Sequence, residues 1–298
     1  MKKWALRISV VFLVLFLMLW SVVAVGGVYF TVRPRLSEFE DPETMVNHPV
    51  VPVSVVTDDN VTISAWHIPA HPQRAVILLS GIDGNRTSSR SHGEWYLEQG
   101  YSVLLPDLRA SGRSGGSMVT LGWQERKDLV ACFNYMKNAG YTQIGVHGHS
   151  LGAATICFAL PEIPDATFIV LESSYDTLGN AVRNRLAMYN TPAFIGYPYY
   201  ALFGLTVGAA PWRLRPLDYM SYAKAPTLIM AGDSEPEIKV SETQALYDRC
   251  GADVKRLHYF AGAGHQHFLR RYTEDYQIVL HDFLRTVFEE SERQAANE

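Results

Sequence analysis

The sequence predicts an α/β fold, a mostly parallel sheet with helices on both faces and a small cap insertion. Three observations lead there. Short apolar runs alternate with stretches of helical periodicity from about residue 53 to residue 290. Runs such as 75–79 are continuously apolar, as expected of strands covered on both faces. Polar, glycine-rich turns follow these runs, and in open α/β sheets ligands bind outside the carboxyl ends of the strands.

Taken in order, the chain begins with Lys2, Lys3 and Arg7 and then an uncharged run, 8–30. As a helix that run spans roughly 35 Å, enough to cross a hydrocarbon core of about 30 Å. It exceeds the apolar length of an ordinary cleavable signal, about 7–15 residues, and Ala24-Val25-Gly26 is a weak cleavage site. The first reading of 1–30 is therefore an uncleaved signal anchor, and a cleaved signal peptide is the alternative. Basic residues before the span orient the body outward, although Arg33 and Arg35 dilute that bias. The expectation is a single-pass membrane protein with an extracytoplasmic catalytic domain.

Residues 31–52 read as a polar, proline-containing linker. Runs 53–56 and 61–68 alternate around Asp58-Asp59-Asn60 and predict an antiparallel hairpin. A strand at 75–79 ends in the turn-rich Ser80-Gly81-Ile82-Asp83-Gly84-Asn85. A helix through 94–98 stops at Gly100, and a strand at 102–105 leads to Asp107-Leu108-Arg109. Leu129, Cys132, Phe133 and Met136 give 123–137 a helical period that Gly140 closes. Strands follow at 143–147, 167–171, 227–231 and 254–260, and a helix at 275–288 precedes a polar tail, 291–298.

The aromatic-rich segment 187–212 breaks the alternation. It reads either as short helices packed on the core or as a cap supplying an apolar acyl pocket. A second membrane-associated element is a third reading, since 201–211 is too short to span.

Composition narrows the function classes. A net charge of −4 over 298 residues shows no basic bias, which argues against a nucleic-acid partner. Cys132, Cys157 and Cys250 are widely spaced and suggest neither a disulfide framework nor a zinc site. Asn60-Val61-Thr62 and Asn85-Arg86-Thr87 match the glycosylation acceptor pattern, which signifies only in a eukaryotic source.

The chemistry-bearing pattern is Gly148-His149-Ser150-Leu151-Gly152, placed directly after a strand. Glycines two before and two after a serine permit a sharp strand-to-helix turn that exposes its hydroxyl. Together with Gly81-x-x-Gly84-Asn85, Asp107-x-Arg109-x-x-Gly112-x-Ser114, Gly232-Asp233-Ser234-Glu235 and Gly264-His265, it resembles α/β-hydrolase fold serine hydrolases. The resemblance is to the Bem46-like and prolyl-oligopeptidase-like group and covers residues 50–290.

That resemblance implies Ser150 as nucleophile, His265 as base and an acid among 233–237. Its Gly-x-x-Asp pattern aligns Glu235 with the acid and Ile238 with the following aliphatic. Glu in place of Asp leaves Asp233 and then Glu237 as alternatives. Backbone N–H groups of Ile82 and Leu151 are implied as the oxyanion hole, with Ser80-Gly81 where the family often has His-Gly. His267 is the competitor for the base. A metal role for His265-x-His267 is disfavoured, because no third ligand stands at suitable spacing. His147, His149 and His258 read as structural neighbours, and Asp107 and Arg109 as loop braces.

The expected activity is cleavage of small-molecule or lipid-like acyl esters through an acyl-enzyme, carboxylesterase- or lipase-like, without metal or organic cofactor. Thioesterase or peptidase action is the alternative within the fold, and a non-catalytic binding member the alternative of another class. The sequence leaves the oligomeric state open.

Overall fold

The sheet owes its shape to where the chain doubles back. The computed structural model describes residues 2–295. Among these, eight strands form the main sheet: β1 (Val51–Val56), β2 (Thr62–Ile68), β3 (Arg74–Leu79), β4 (Ser102–Pro106), β5 (Gln143–His149), β6 (Phe168–Glu172), β7 (Thr227–Gly232) and β8 (Lys255–Phe260). Their spatial order is β8-β7-β6-β5-β3-β4-β2-β1. β2 runs antiparallel to both its neighbours, β1 and β4, and every pairing along β4-β3-β5-β6-β7-β8 is parallel. The β1–β2 hairpin turns on Asn60, which tolerates its φ of 61° as Asn does more readily than most residues.

Alternate strand residues feed two cores. Ile77, Leu104, Val146, Ile169 and Ile229 face α3 (Glu125–Asn138) and α4 (Leu151–Ala159). Val76, Val103, Val170 and Leu228 face α2 (Arg90–Glu98) and the last helix, Thr273–Ala295. This is the mostly parallel sheet with helices on both faces that the alternation predicts, and the α/β-hydrolase fold that the resemblance implies. Gly100 and Gly140, at φ of 79° and 97°, stand just beyond α2 and α3, where a left-handed residue ends a helix. The last helix continues past the expected 288. Residues 296–298 of the expected polar tail, like Met1 of the expected anchor, lie outside the described residues.

The stretch expected as a linker is pinned to the body. Arg35–Leu36 pairs in parallel with Ser111–Gly112, and Thr44–Met45 pairs antiparallel with His48–Pro49. Met45 is buried in the second core. Asp41 accepts from Trp66 Nε1 at 2.7 Å and from Arg113 Nη1 at 2.9 Å. A tether has no such partners, so residues 31–52 hold the preceding helix in place instead of letting it swing.

That helix, α1 (Lys2–Val32), is long and apolar enough to cross a membrane by length and composition. Its C-terminal part docks on α6 (Tyr197–Val207), the centre of the aromatic-rich segment. Ala24 and Val28 are buried there, Trp20 Nε1 donates to the Ile195 carbonyl at 2.8 Å, and the Thr31 and Tyr199 hydroxyls lie 3.0 Å apart. The segment thus makes its own small core, in which Phe203, Val207 and Val28 meet Leu178 of α5 (Leu178–Met188). The short helices of this segment gather their buried residues there and not in the two main cores. α6 is apolar all round, and α1 covers part of what the main core does not.

Candidate active site

At the end of β5 the chain turns into α4 within one residue. Ser150 sits in that turn at φ 53° and ψ −109°, a conformation that costs a non-glycine residue of order 1–3 kcal/mol. Two close approaches force the turn. A Cβ on Gly148 would stand 2.4 Å from the Gly152 carbonyl carbon, and one on Gly152 would stand 2.4 Å from the Leu79 carbonyl oxygen. The backbone is anchored from β6, where the Glu172 carbonyl accepts the Ser150 N–H at 2.8 Å.

Two loops from neighbouring strand ends reach the serine. His265, in the turn after β8, lies with Nε2 3.0 Å from Ser150 Oγ. Its Nδ1 is 2.7 Å from Glu235 Oε2, in the turn after β7. The other Glu235 oxygen accepts from the Ser173 hydroxyl at 2.6 Å and the Gly232 N–H at 2.7 Å. Buried and ringed by donors, Glu235 is held as an acceptor for imidazole. The preferred and alternative acids therefore separate geometrically. Asp233 is exposed and accepts the Gly262 N–H at 2.7 Å, which braces the turn carrying His265. Glu237 contributes its backbone carbonyl to Asn184, and among the described residues the His265 ring nitrogens bond to Glu235 and Ser150 instead.

The Ile82 and Leu151 N–H groups have no hydrogen-bond partner among the described residues, so both are free for an oxyanion. Leu151 is the first residue of α4, where an orphan donor and the helix dipole both favour negative charge. Ser80-Gly81 suits the space. A Cβ at Gly81 would already be 3.2 Å from His149 and 3.6 Å from the Ser150 Cβ, leaving little room before the serine.

Asp107 and Arg109 brace loops. Asp107 is buried and accepts from Arg86 N at 2.7 Å, Arg86 Nη2 at 2.7 Å and Arg113 N at 2.8 Å. Arg109 bridges Asp128 and Asp59, and its hydrogen bonds hold the Asp59 carboxyl below the usual range. Asn85 caps the turn at Arg86–Ser89 and donates to Ser37 at 3.0 Å, so its side chain is already engaged in holding the oxyanion loop.

His267 does not compete for Ser150; it stacks on His149, ring centroids 4.8 Å apart. Both His149 ring nitrogens are shielded and unpartnered, and burial holds this imidazole down to about 3. His258 sits at the sheet edge beside Asp275.

Sequence reasoning missed one polar cluster. Behind the serine turn, His147 Nε2 lies 2.7 Å from Glu172 Oε1 and His92 Nε2 lies 3.2 Å from it, all buried. Their donor atoms fall within 4.8 Å of one another, which is metal-ligand spacing. Yet His147 Nδ1 meets the Tyr96 hydroxyl at 3.1 Å, and Tyr276 donates to the same Glu172 oxygen. Burial opposes the Glu172 anion, but His92 and His147 outweigh it and keep its pKa well below the usual range. Burial keeps His147 neutral. Among the described residues, His92 Nε2 and the second Glu172 oxygen have no hydrogen-bond partner. Both His147 nitrogens and the first Glu172 oxygen are engaged, however, and they make the cluster a hydrogen-bond network first. Its sequence signal was Glu172 itself, a carboxylate at the end of an apolar strand.

Comparison with known proteins accords with this geometry. The model of the prolyl oligopeptidase family matches residues 87–291. An uncharacterized Bacillus subtilis protein, YqkD, is 26% identical over 237 residues, covering 77% of each chain. A carboxylesterase of the same organism is 32% identical over 80 residues, 26% of this chain and 32% of that one. Among solved structures, the Pyrococcus furiosus esterase Pf2001 superposes with a TM-score of 0.74 at 26% identity, covering 86% of this chain and 98% of the other.

Proposed function

Because the chain belongs to the prolyl oligopeptidase family and has the α/β-hydrolase fold, we propose that this serine hydrolase cleaves carboxylic esters with Ser150, His265 and Glu235. The observation that carries the proposal is the unbroken relay from Glu235 through His265 to Ser150, at 2.7 and 3.0 Å, ending on a strained, presented serine.

His265 Nε2 accepts the Ser150 proton as Oγ attacks the ester carbonyl carbon. Glu235 holds Nδ1–H and stabilises the imidazolium that results. Negative charge gathers on the carbonyl oxygen between the Ile82 and Leu151 N–H groups, where one such donor is worth about 10²–10³ in rate. Collapse expels the alcohol, which takes the proton from His265, and leaves an acyl-Ser150. Water, deprotonated by the same His265, then attacks the acyl carbon. The carboxylate leaves, and Ser150 regains its proton.

Esters rank before amides on the similarity to an esterase over most of both chains and on the apolar cap. The family description favours peptide amides as the second reading. Hydrolysis of p-nitrophenyl butyrate and of a matched p-nitroanilide by the full chain separates them. Ester turnover that exceeds anilide turnover by at least about 10³ supports the proposal, and the reverse order overturns it.

We also propose that α1 is retained and holds the enzyme at a membrane, with the catalytic body on the extracytoplasmic face. Removing α1 would expose the small core it shares with α6, in which Val28 and Phe203 are buried. A reporter fused after residue 298 is expected outside the cytoplasm, and a cytoplasmic reporter contradicts this topology.

A further inference from the structure

We propose that α1 is one wall of the substrate site as well as an anchor, and that the occupant is the long acyl chain of a membrane-resident ester. This rests on the esterase reading of Ser150 and on the membrane reading of α1.

The observation is a cavity of about 490 Å³ between α1 and the cap, within the range of small-molecule sites. Val23, Ala24, Gly27 and Phe30 form the α1 side, and Val182 and Leu186 of α5 stand among its cap-side residues. Its lining is mainly apolar, with Arg35 and Asp83 paired at 2.5 Å on its margin. Ile82 also lines it. Ile82 carries one of the two free N–H groups, and the preceding Gly81 lies so near the serine that a Cβ on it would stand 3.6 Å from the Ser150 Cβ. The cavity therefore starts at the oxyanion loop and ends at the helix.

Three features identify the occupant. All four α1 residues lie on the uncharged run between Arg7 and Arg33, the part of the chain suited to hydrocarbon, so the wall is continuous with the bilayer. The α1 register is fixed by Trp20, Thr31 and the 31–52 strands, so the cavity is a built space. A Cβ at Gly27 would come 3.1 Å from the Tyr199 ring, which shows how closely helix and cap approach there. Finally, Tyr189, Phe194, Tyr197, Leu205 and Trp212 of the cap segment are exposed. Apolar and aromatic side chains beside a spanning helix suit the membrane interface, from which a chain slides between α1 and α5 without crossing water.

The test measures phosphonylation of the full chain reconstituted in phosphatidylcholine vesicles, with ethyl and hexadecyl fluorophosphonates as probes. Ser150 Oγ displaces fluoride in both cases, so the ratio of long- to short-probe rates reads the chain site alone. Ala24→Phe from the helix side and Val182→Phe from the cap side each fill the cavity. The long-to-short ratio is expected to fall at least about tenfold in both, as occluding a hydrophobic subsite does. Leu19→Phe, on the exposed part of α1, keeps the wild-type ratio. An unchanged ratio in the Ala24 and Val182 variants, with both probes still reacting, overturns the proposal and leaves the hydrolase reading standing. Failure of the wild type to react with either probe overturns both.

Discussion

Two carboxylate–histidine pairs lie on this sheet, and they do opposite things. Glu235–His265 and Glu172–His147 have the same separation, 2.7 Å, and both carboxylates are buried. What differs is the far nitrogen of each imidazole. His265 Nε2 points at a serine hydroxyl on the sheet's carboxyl edge, and that imidazole remains partly exposed. His147 Nδ1 points back into the second core at Tyr96. The carboxylate–imidazole contact alone therefore does not make a site. What sets the first pair apart is a turn that brings a serine hydroxyl to its imidazole.

The largest effect expected from breaking this comparison is on the open pair. Ser150→Ala and His265→Ala should each lower ester kcat by at least about 10⁴ while leaving the unfolding midpoint close to wild type. Residual ester turnover within tenfold of wild type would contradict the assignment. Glu235→Gln keeps the shape but loses the charge that orients Nδ1–H, and kcat should fall about 10²–10⁴-fold. Asp233→Asn touches only the bracing turn and should change kcat less than about tenfold. If the Asp233 variant loses more than the Glu235 variant, the two acids are assigned the wrong way round.

The closed pair should respond in stability. Glu172→Ala removes the acceptor that His147 Nε2 and the Tyr276 hydroxyl share in the core, and urea unfolding should show a loss of about 2–5 kcal/mol. The folded fraction should retain ester turnover within about threefold. A variant as stable as wild type but inactive would move Glu172 into the chemistry.

How much of this was legible in the sequence depends on where each partner lies. The fold and the serine turn are local: apolar runs, Gly148, Gly152 and a helix start suffice. His265 and Glu235 each follow a strand, so a parallel sheet brings them together whatever its details. The Glu172–His147 network was not legible, because it needs the β5–β6 register that sets Leu171 beside Gly148 and His149 beside Glu172, together with side chains from α2 and the last helix. The docking of α1 was hidden for a different reason. A helix apolar on every face offers no stripe to distinguish protein contact from lipid contact, so Ala24 and Val28 look like any anchor residues. The pairing of the 31–52 stretch was not legible, because a polar, proline-containing chain reads as linker even where a few residues, Met45 and Asp41 among them, are held by the body.

The smallest effect sharpens the comparison from the acid side. His149 lies between the two pairs, half-buried with both ring nitrogens shielded, and its pKa is lowered from 6.5 to about 3. Above 6.5 neither folded nor unfolded chain protonates this ring, so it costs nothing. As pH falls from 6.5 towards 3, the unfolded chain takes up the proton that the fold refuses, and stability is lost. His149→Asn should flatten the decline of the urea midpoint between pH 6.5 and 4. An unchanged slope would place the proton elsewhere.

The central claim is that Ser150 is the nucleophile, made so by its turn and by His265. The most direct measurement is the intact mass of the full chain after brief exposure to an ethyl fluorophosphonate. The account predicts a single phosphonyl adduct, located on the peptide containing Ser150, abolished in Ser150→Ala and slowed at least about 10³-fold in His265→Ala. An adduct that persists in Ser150→Ala, or a folded wild-type chain that takes up no label, would contradict it.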